Sequence, residues 1–282
     1  MPDVQGDTGR VTVFGAGGFI GRNLADYFGG KGFAVDRVTR HNWPAAGAHL
    51  GHCIYAIGLT ADFRQFPLQT MEAHVTLPVE IIDRYRFDSI TYLSSTRVYK
   101  DAAKGEESQA LTVNPANPDD IYNLSKLAGE TMCLNAAHGK GRVLRLSNVF
   151  GPGDVSANFL SQITREAATT GRLTLRTGEN SKKDYIALAD AILAIFNLVL
   201  HGDASIYNVA SGTSTTNKII SHVLQEDGID VTYTDDAVDI IYPDISIKKM
   251  TDTISFSPQD FGLSFENYWY DVKRRAGNAN NY

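Results

Sequence analysis

Tyr122 and Lys126 stand four residues apart in Tyr122-Asn123-Leu124-Ser125-Lys126, so a helix there carries a phenol and an ammonium on one face. A tyrosine ordinarily loses its proton near pH ~10. A neighbouring lysine cation favours the phenolate and lowers that value, which makes Tyr122 a proton donor or acceptor for alcohol–ketone interconversion. Such chemistry needs a hydride carrier, and a second motif offers the place for one. Gly15-x-x-Gly18-x-x-Gly21 follows the apolar run Val11-Thr12-Val13-Phe14 and precedes a helical pattern. Glycine lets the chain turn sharply, approach a pyrophosphate without a Cβ in the way, and pack helix close to strand. The free N–H groups of the helix start then face the phosphates. An oxidised nicotinamide would add its own positive charge to that of Lys126, which is also placed to reach the cofactor ribose.

The end of the second strand chooses between the two nicotinamide cofactors. An NAD site wants Asp or Glu there, for the ribose 2′-hydroxyl; this chain has Thr39-Arg40. A hydroxyl and a guanidinium suit a 2′-phosphate, so NADP(H) is the expected cofactor and NAD(H) the alternative. Arg22 and Arg37 are further cations near the same position.

The elements that must hold these residues follow from periodicity and punctuation. Strands are expected at Val11–Phe14, Phe33–Thr39, Cys53–Ile57, Ser89–Leu93 and Arg142–Leu146. Helices are expected at Phe19–Phe28, Met71–Tyr85 and from Asp119-Asp120, whose carboxylates suit a first turn, to about Ala137. Strands alternating with helices imply an α/β fold of Rossmann type: a doubly wound parallel sheet, here with a smaller C-terminal substrate-binding lobe. Residues 1–150 form the expected dinucleotide-binding core. Residues 151–282, after Gly151-Pro152-Gly153, have shorter elements near 158–170, 173–176, 187–200 and 216–226. The helix near 187–200 is expected to return to the core sheet. The tail Asn278–Tyr282 is polar and expected to fray.

Composition narrows the function classes. With 43% hydrophobic and 21% charged residues, the 282-residue chain has the make-up of an ordinary globular protein. A net charge of -6 gives no electrostatic reason to expect nucleic acid or an anionic membrane as partner. The two cysteines, Cys53 and Cys133, lie in apolar or helical settings without a CxxC partner. Buried core thiols are expected, with no disulfide framework and no metal site. No apolar stretch is long enough to span a bilayer, and residues Met1–Arg10 lack the apolar run of a signal peptide, so a cytoplasmic enzyme is expected.

Several ordered blocks resemble the extended short-chain dehydrogenase/reductases, in the branch of nucleotide-sugar epimerases, dehydratases and reductases. Gly15-Ala16-Gly17-Gly18-Phe19-Ile20-Gly21 is similar to that family's cofactor loop. Ser94-Ser95-Thr96-Arg97-Val98-Tyr99 resembles its strand-end block, which makes Ser95 the counterpart of the catalytic Ser or Thr. Tyr122 and Lys126 match the YxxxK pair, and Glu130 follows as in the family. Arg145 to Pro152 resembles the substrate block, in which Asn148 would touch the diphosphate. Lys183-Asp184-Tyr185 stands where an Arg-Asp-Phe helps to hold it, and Tyr207 to Gly212 resembles a late signature.

The resemblance implies a catalytic set of Ser95, Tyr122 and Lys126. It implies cofactor contacts from Gly15, Gly18, Phe19, Ile20, Gly21, Thr39, Arg40, Ala56, Ile57, Tyr122 and Lys126, and substrate contacts from Ser95, Thr96, Asn148 and Lys183. A hydride would pass between the nicotinamide and a sugar carbon, C4 by expectation. Three departures carry information. Thr96-Arg97 replaces the Asp-Glu of the dehydratases, which argues against 4,6-dehydration. Lys183 replaces an arginine and loses its bidentate fork. His74 stands where the family usually has Asn, and a structural hydrogen-bonding role is preferred to substrate contact. The expected function is reduction of a 4-keto nucleotide sugar with NADP(H). A 4-epimerase with tightly bound NAD is the alternative, and a non-catalytic dinucleotide sensor the remote one. A nucleotide-diphosphate sugar as partner and a homodimer through the YxxxK helix complete what the resemblance implies.

Overall fold

The computed structural model of the chain describes residues 9–279. The polar start up to Thr8, and residues 280–282 of the tail expected to fray, lie outside that range; Asn278 and Ala279 belong to the last helix. Strand β1 (Arg10–Phe14) runs into helix α1 (Phe19–Gly30), followed by β2 (Ala34–Val38) and β3 (His52–Tyr55). Helix α2 (Pro67–Met71) leads through a π-helical turn, Glu72–Thr76, into α3 (Leu77–Arg84). Then come β4 (Ser89–Ser95), a 3₁₀ turn (Thr96–Tyr99), helix α4 (Ile121–Ala136) and β5 (Gly141–Leu146). With the later strand β9 (Ile206–Val209) they form one sheet in the order β2-β1-β3-β4-β5-β9, every pair parallel. This is the doubly wound α/β fold expected from the sequence.

The chain leaves β1 in one direction to β2 and later returns to the other side at β3. The crevice beyond the carboxyl ends of β1 and β3 is therefore the topological switch point, where ligands of such sheets bind. Valines and aromatics close the sheet on both faces: Val11, Val13 and Phe14 of β1 and Ile54 and Tyr55 of β3 are fully buried. The apolar face of α1 (Leu24, Ala25, Phe28) shares that core with Ile192, Ile195 and Leu198 of α6 (Leu188–His201).

Most expected boundaries shift by a residue or two, and three of the differences have a local reason. The third strand ends at Tyr55, two residues early, because Ala56 and Ile57 curve over the glycine loop; a Cβ on Gly15 would lie 2.9 Å from the Ala56 carbonyl. Asp119 and Asp120 stand in a 3₁₀ turn before α4, not in its first turn. Asp119 pairs with Arg64, and Asp120 accepts from the Asn114 N–H (2.8 Å). The single helix expected over Met71–Tyr85 is broken by Pro78, which has no N–H to give the carbonyl of His74 four residues back. The ladder widens there, and the freed His74 carbonyl accepts from the Tyr92 hydroxyl (3.0 Å).

Beyond β5 the elements are β6 (Asn148–Phe150), α5 (Phe159–Thr170), β7 (Arg172–Thr177), β8 (Lys182–Ala187), β10 (Ser214–Thr216), α7 (Asn217–Glu226), β11 (Asp230–Val238), α8 (Lys248–Thr253) and α9 (Phe261–Ala279). A three-stranded sheet β10-β8-β6 and a parallel pair β11-β7 flank a second apolar cluster of Phe150, Leu160, Tyr185, Leu224, Phe265 and Trp269. Helix α9, with glycines at 262 and 277, is not among the expected elements; Phe265, Tyr268, Trp269 and Val272 form its buried stripe.

Candidate active site

The glycine loop is held from two sides. The N–H groups of Gly15 and Ala16 both donate to the Val38 carbonyl at the end of β2 (3.0 and 3.2 Å). Gly15 has φ +84°, and a Cβ on Gly21 would stand 2.2 Å from the Gly15 carbonyl oxygen. Both positions thus require glycine for the loop itself. Gly17 and Gly18 are exposed, Gly17 with open space in front of it, and Gly18 caps α1 without any side-chain hydrogen bond. The helix start is therefore left with free N–H groups facing a glycine-lined cradle, which fits a pyrophosphate.

At the end of β2 the candidates differ. Thr39 is tied into its own turn: its N–H and its hydroxyl both donate to Asn42 Oδ1 (2.6 and 2.8 Å). Arg37 is paired with Asp26 (2.7 Å). Arg40 and Arg22 are exposed, and Arg40 makes no ion pair among the described residues. Ala56 and Ile57 are half-buried beside Gly15.

Ser95 is the last residue of β4, and the 3₁₀ turn begins on it. Its Oγ accepts the Arg97 N–H (3.2 Å), which leaves its own proton free to donate toward Tyr122. Helix α4 buries Tyr122 and Lys126 on its inner face. It comes close because residue 129 is glycine: a Cβ there would fall 2.3 Å from the His74 carbonyl. Lys126 Nζ donates to the Leu93 carbonyl (3.0 Å) and lies 5.0 Å from the Tyr92 ring centre. Structure thus gathers Ser95, Tyr122 and Lys126 at one end of β4.

The electrostatics of the pair differ from the expectation. Burial pushes the Tyr122 phenol above its ordinary value, against the Ser95 hydrogen bond and the Arg97 guanidinium, which pull it down. Burial also brings Lys126 down to about 7, with Glu130 opposing. The expected order, a charged lysine lowering the tyrosine, is corrected: both groups are withdrawn from water, and the nearby cation that favours the phenolate is Arg97.

His74 is fully buried, and its imidazole meets Tyr122 edge-on at 5.3 Å. Its Nε2 accepts the Leu59 N–H (3.2 Å), so its Nδ1 carries the proton and donates to Ser125 Oγ (2.8 Å). Ser125 in turn donates to the Tyr122 carbonyl (2.9 Å). Burial, then Lys126, hold the imidazole down at about 2. The ring is a neutral strut between the loop after β3 and α4.

Beneath lies a buried polar chain. Ser94 donates to Glu130 (2.5 Å), Glu130 grips Arg145 (2.6 Å), and Arg145 donates to Tyr99 Oη (2.7 Å). Tyr99 then donates to Asn208 Oδ1 (2.9 Å). The chain ties β4, α4, β5 and β9 together directly behind the site.

Asn148 and Lys183 stand on β6 and β8, the register partner of Asn148 being Tyr185. The Asn148 amide donates to the Asp184 carbonyl (2.8 Å). Asp184 is buried and takes the N–H groups of Ser211 (2.9 Å) and Gly212 (2.8 Å), so it serves the loop after β9. Lys183 Nζ lies over Phe159 (4.9 Å) and Tyr242 (5.7 Å), its ammonium held down by burial and by Arg97. Thr96 is buried in the 3₁₀ turn.

Two residues of the site carry no motif. Phe63, in the loop after β3, is buried with its ring 5.4 Å from that of Tyr122. Tyr242 accepts from Arg97 Nη1 (3.5 Å). Only the helical neighbours of Tyr122 are visible in sequence; Phe63 and Tyr242 reach it through the fold.

A dinucleotide cradle at the switch point of a parallel sheet, with a Ser–Tyr–Lys set beside it, defines the short-chain dehydrogenase/reductase type of site. The profile of the NAD dependent epimerase/dehydratase family matches residues 49–210, more than half of the chain. The protein belongs to that family and is an NAD(P)-dependent enzyme. No curated protein sequence matches it. Among solved structures, RMD from Pseudomonas aeruginosa complexed with NADPH is 21% identical, with a TM-score of 0.72 over 94% of this chain and 99% of that one. UDP-glucose 4-epimerase from Thermotoga maritima, with UDP-glucose, is 16% identical, with a TM-score of 0.77 over 94% and 99%. MoeE5 in complex with UDP-glucose and NAD is 17% identical, with a TM-score of 0.77 over the same shares. Among the described residues no helix is long and apolar enough to cross a membrane, and no group of three or more His, Cys, Asp or Glu is placed to hold a metal ion. Cys53 and Cys133 are both buried and free.

Proposed function

We propose that this enzyme reduces a 4-keto nucleotide-diphosphate sugar with NADP(H). The observation behind this reading is the assembly of Ser95, Tyr122 and Lys126 at the end of β4, beside a glycine cradle whose neighbouring strand β2 is followed by the exposed Arg40. A nicotinamide held there supplies the hydride. Ser95, already accepting from the Arg97 N–H, donates its proton to orient the substrate oxygen. Tyr122 delivers the proton to that oxygen. Lys126 stays on the Leu93 carbonyl and the cofactor ribose, holding both in register with the phenol. Phe63 keeps water off the Tyr122 ring. Lys183 and Asn148 take the substrate's diphosphate, and the Arg40 guanidinium takes the 2′-phosphate of the cofactor. We place this enzyme in the cytoplasm as a homodimer through the outer face of α4, where Leu124 is exposed.

A second reading, a 4-epimerase that retains NAD, has one observation in its favour. The Thr39 hydroxyl donates to Asn42 rather than outward to a phosphate.

The test begins with the nicotinamide that accompanies the purified protein, followed by fluorescence titration with NADPH and NADH. Protein that arrives empty and prefers NADPH supports the reductase. Turnover of a 4-keto nucleotide sugar should then consume NADPH, and Tyr122→Phe should lower kcat by about 10²–10⁴ while NADPH still binds. Protein loaded with NAD⁺ would make the epimerase the leading reading. A Tyr122→Phe variant as active as the parent would sink both.

A further inference from the structure

We propose that Arg97 selects the substrate, by binding a carboxylate on the sugar ring, so that the preferred substrate is the nucleoside-diphosphate derivative of a uronic acid. This proposal rests on the nucleotide-sugar reading above and narrows it.

Arg97 lies two residues after Ser95 in the same 3₁₀ turn, and its own N–H is bonded to Ser95 Oγ. Its side chain therefore sets out from the point at which the reacting oxygen is held. The guanidinium lies against two neighbouring rings, 5.2 Å from the centre of Phe63 and 5.6 Å from that of Tyr122, which are themselves 5.4 Å apart. Such stacking fixes the plane of the cation while leaving its edges free to hydrogen-bond.

Those edges are poorly used. Nη1 reaches Tyr242 Oη at 3.5 Å and Nη2 the Asp119 carbonyl at 3.3 Å, both long for such bonds. Nε is buried and has no partner. A guanidinium offers five N–H donors and fits a carboxylate with two of them in parallel. Among the described residues no carboxylate pairs with it: Asp119, the acid nearby, is taken by Arg64. Lys183 approaches the same Tyr242 ring and adds a second positive charge without an acid of its own. Arg97 is half-buried with no acid beside it, and its unused donors leave a place for an anion.

Position decides which anion. Arg97 lies over the ring of Tyr122, whose phenol serves the oxygen of the reacting carbon, whereas the diphosphate is assigned to Lys183 and Asn148 on β8 and β6. With reaction at C4, the nearest substituent is the one on C5, and in a uronic acid that substituent is a carboxylate.

The test uses the protein with NADP(H) bound, titrated calorimetrically with three pairs: UDP-glucose and UDP-glucuronate, GDP-mannose and GDP-mannuronate, dTDP-glucose and dTDP-glucuronate. In at least one pair the acidic sugar should bind about 10- to 100-fold more tightly than the neutral one. In Arg97→Gln that ratio should fall to about one, and in Arg97→Lys, which keeps the charge and loses the fork, to a value between. Retained NADPH binding reports that both variants are folded. Equal binding of acidic and neutral sugars in every pair, or a preference that survives Arg97→Gln, overturns the proposal and leaves the nucleotide-sugar reading standing. Failure of all six compounds to bind overturns both.

Discussion

Replacing Lys126 with methionine tests the electrostatic account of the site through stability alone, without a substrate. The Lys126 ammonium is buried, and its pKa falls from 10.5 to about 7. In the unfolded chain the lysine is solvated and holds its proton up to the ordinary value. Between about pH 7 and 10.5 the unfolded state therefore binds one proton more than the native state. Stability then rises with pH across that window by about 1.4 kcal/mol per unit, and the penalty is complete only below its lower end. The whole window, 10.5 minus about 7, spans about 3.5 units, for an upper bound on the order of 5 kcal/mol. From pH ~7.5 to pH ~9 the gain is about 2 kcal/mol, or roughly 4–8 °C in Tm for a chain of this size. Methionine has similar length and no charge, so Lys126→Met should lack that rise. Comparing the two proteins at each pH cancels the other titrating groups. The measurement is Tm by circular dichroism, without cofactor, at closely spaced pH. Two curves that run parallel from pH ~7 to ~9.5 would refute the claim that Lys126 is held near neutrality, and the proton chemistry assigned to the pair would need another source.

Two further substitutions probe the frame of the site. Glu130→Ala leaves the Arg145 guanidinium, 4% exposed, without its carboxylate; it should cost about 3–5 kcal/mol, read as a lower denaturation midpoint. Glu130→Leu combined with Arg145→Met should recover most of that loss, because no uncompensated charge is left inside. Gly21→Ala puts a methyl 2.2 Å from the Gly15 carbonyl oxygen, with backbone on both sides of the clash. NADPH binding should fall by at least about tenfold while the circular dichroism spectrum stays that of the parent; unchanged affinity would show that the loop does not carry the cofactor.

How much of this was legible in the sequence depends on how far each signal travels along the chain. The glycine loop and Tyr122–Lys126 are local patterns, set by one tight turn and by one helical period, and the sheet that aligns them shows as alternating strands and helices. Helix α9 carries a local signal as well, since Phe265, Tyr268, Trp269 and Val272 recur at i, i+3, i+4 and i+7, but the glycines at 262 and 277 weaken it at both ends. Its helicity comes from packing on Phe150 and α5, not from propensity. His74 could be seen to replace an asparagine, but its neutral state follows from contacts with Leu59 and Ser125.

The largest departure lies in the source of the charge that acts on Tyr122. From spacing alone, the lysine one helical turn away is the natural candidate, since sequence shows neighbours and hides burial. In the folded chain the same inner face of α4 that brings Lys126 to Tyr122 also withdraws it from water, and a withdrawn ammonium gives up much of its charge near neutral pH. An arginine does not, because its proton is retained at any working pH. The fold brings such a group to the ring from the end of β4, where it also lies against Phe63. Arg97 thus holds two functions that a lysine in its place would hold less well: a permanent positive charge beside the phenol, and a flat set of donors still open to an anion. The first requires that the cation stay where it is through the catalytic cycle. The second requires that no acid of the protein take up those donors, and among the described residues none does, Asp119 being paired with Arg64.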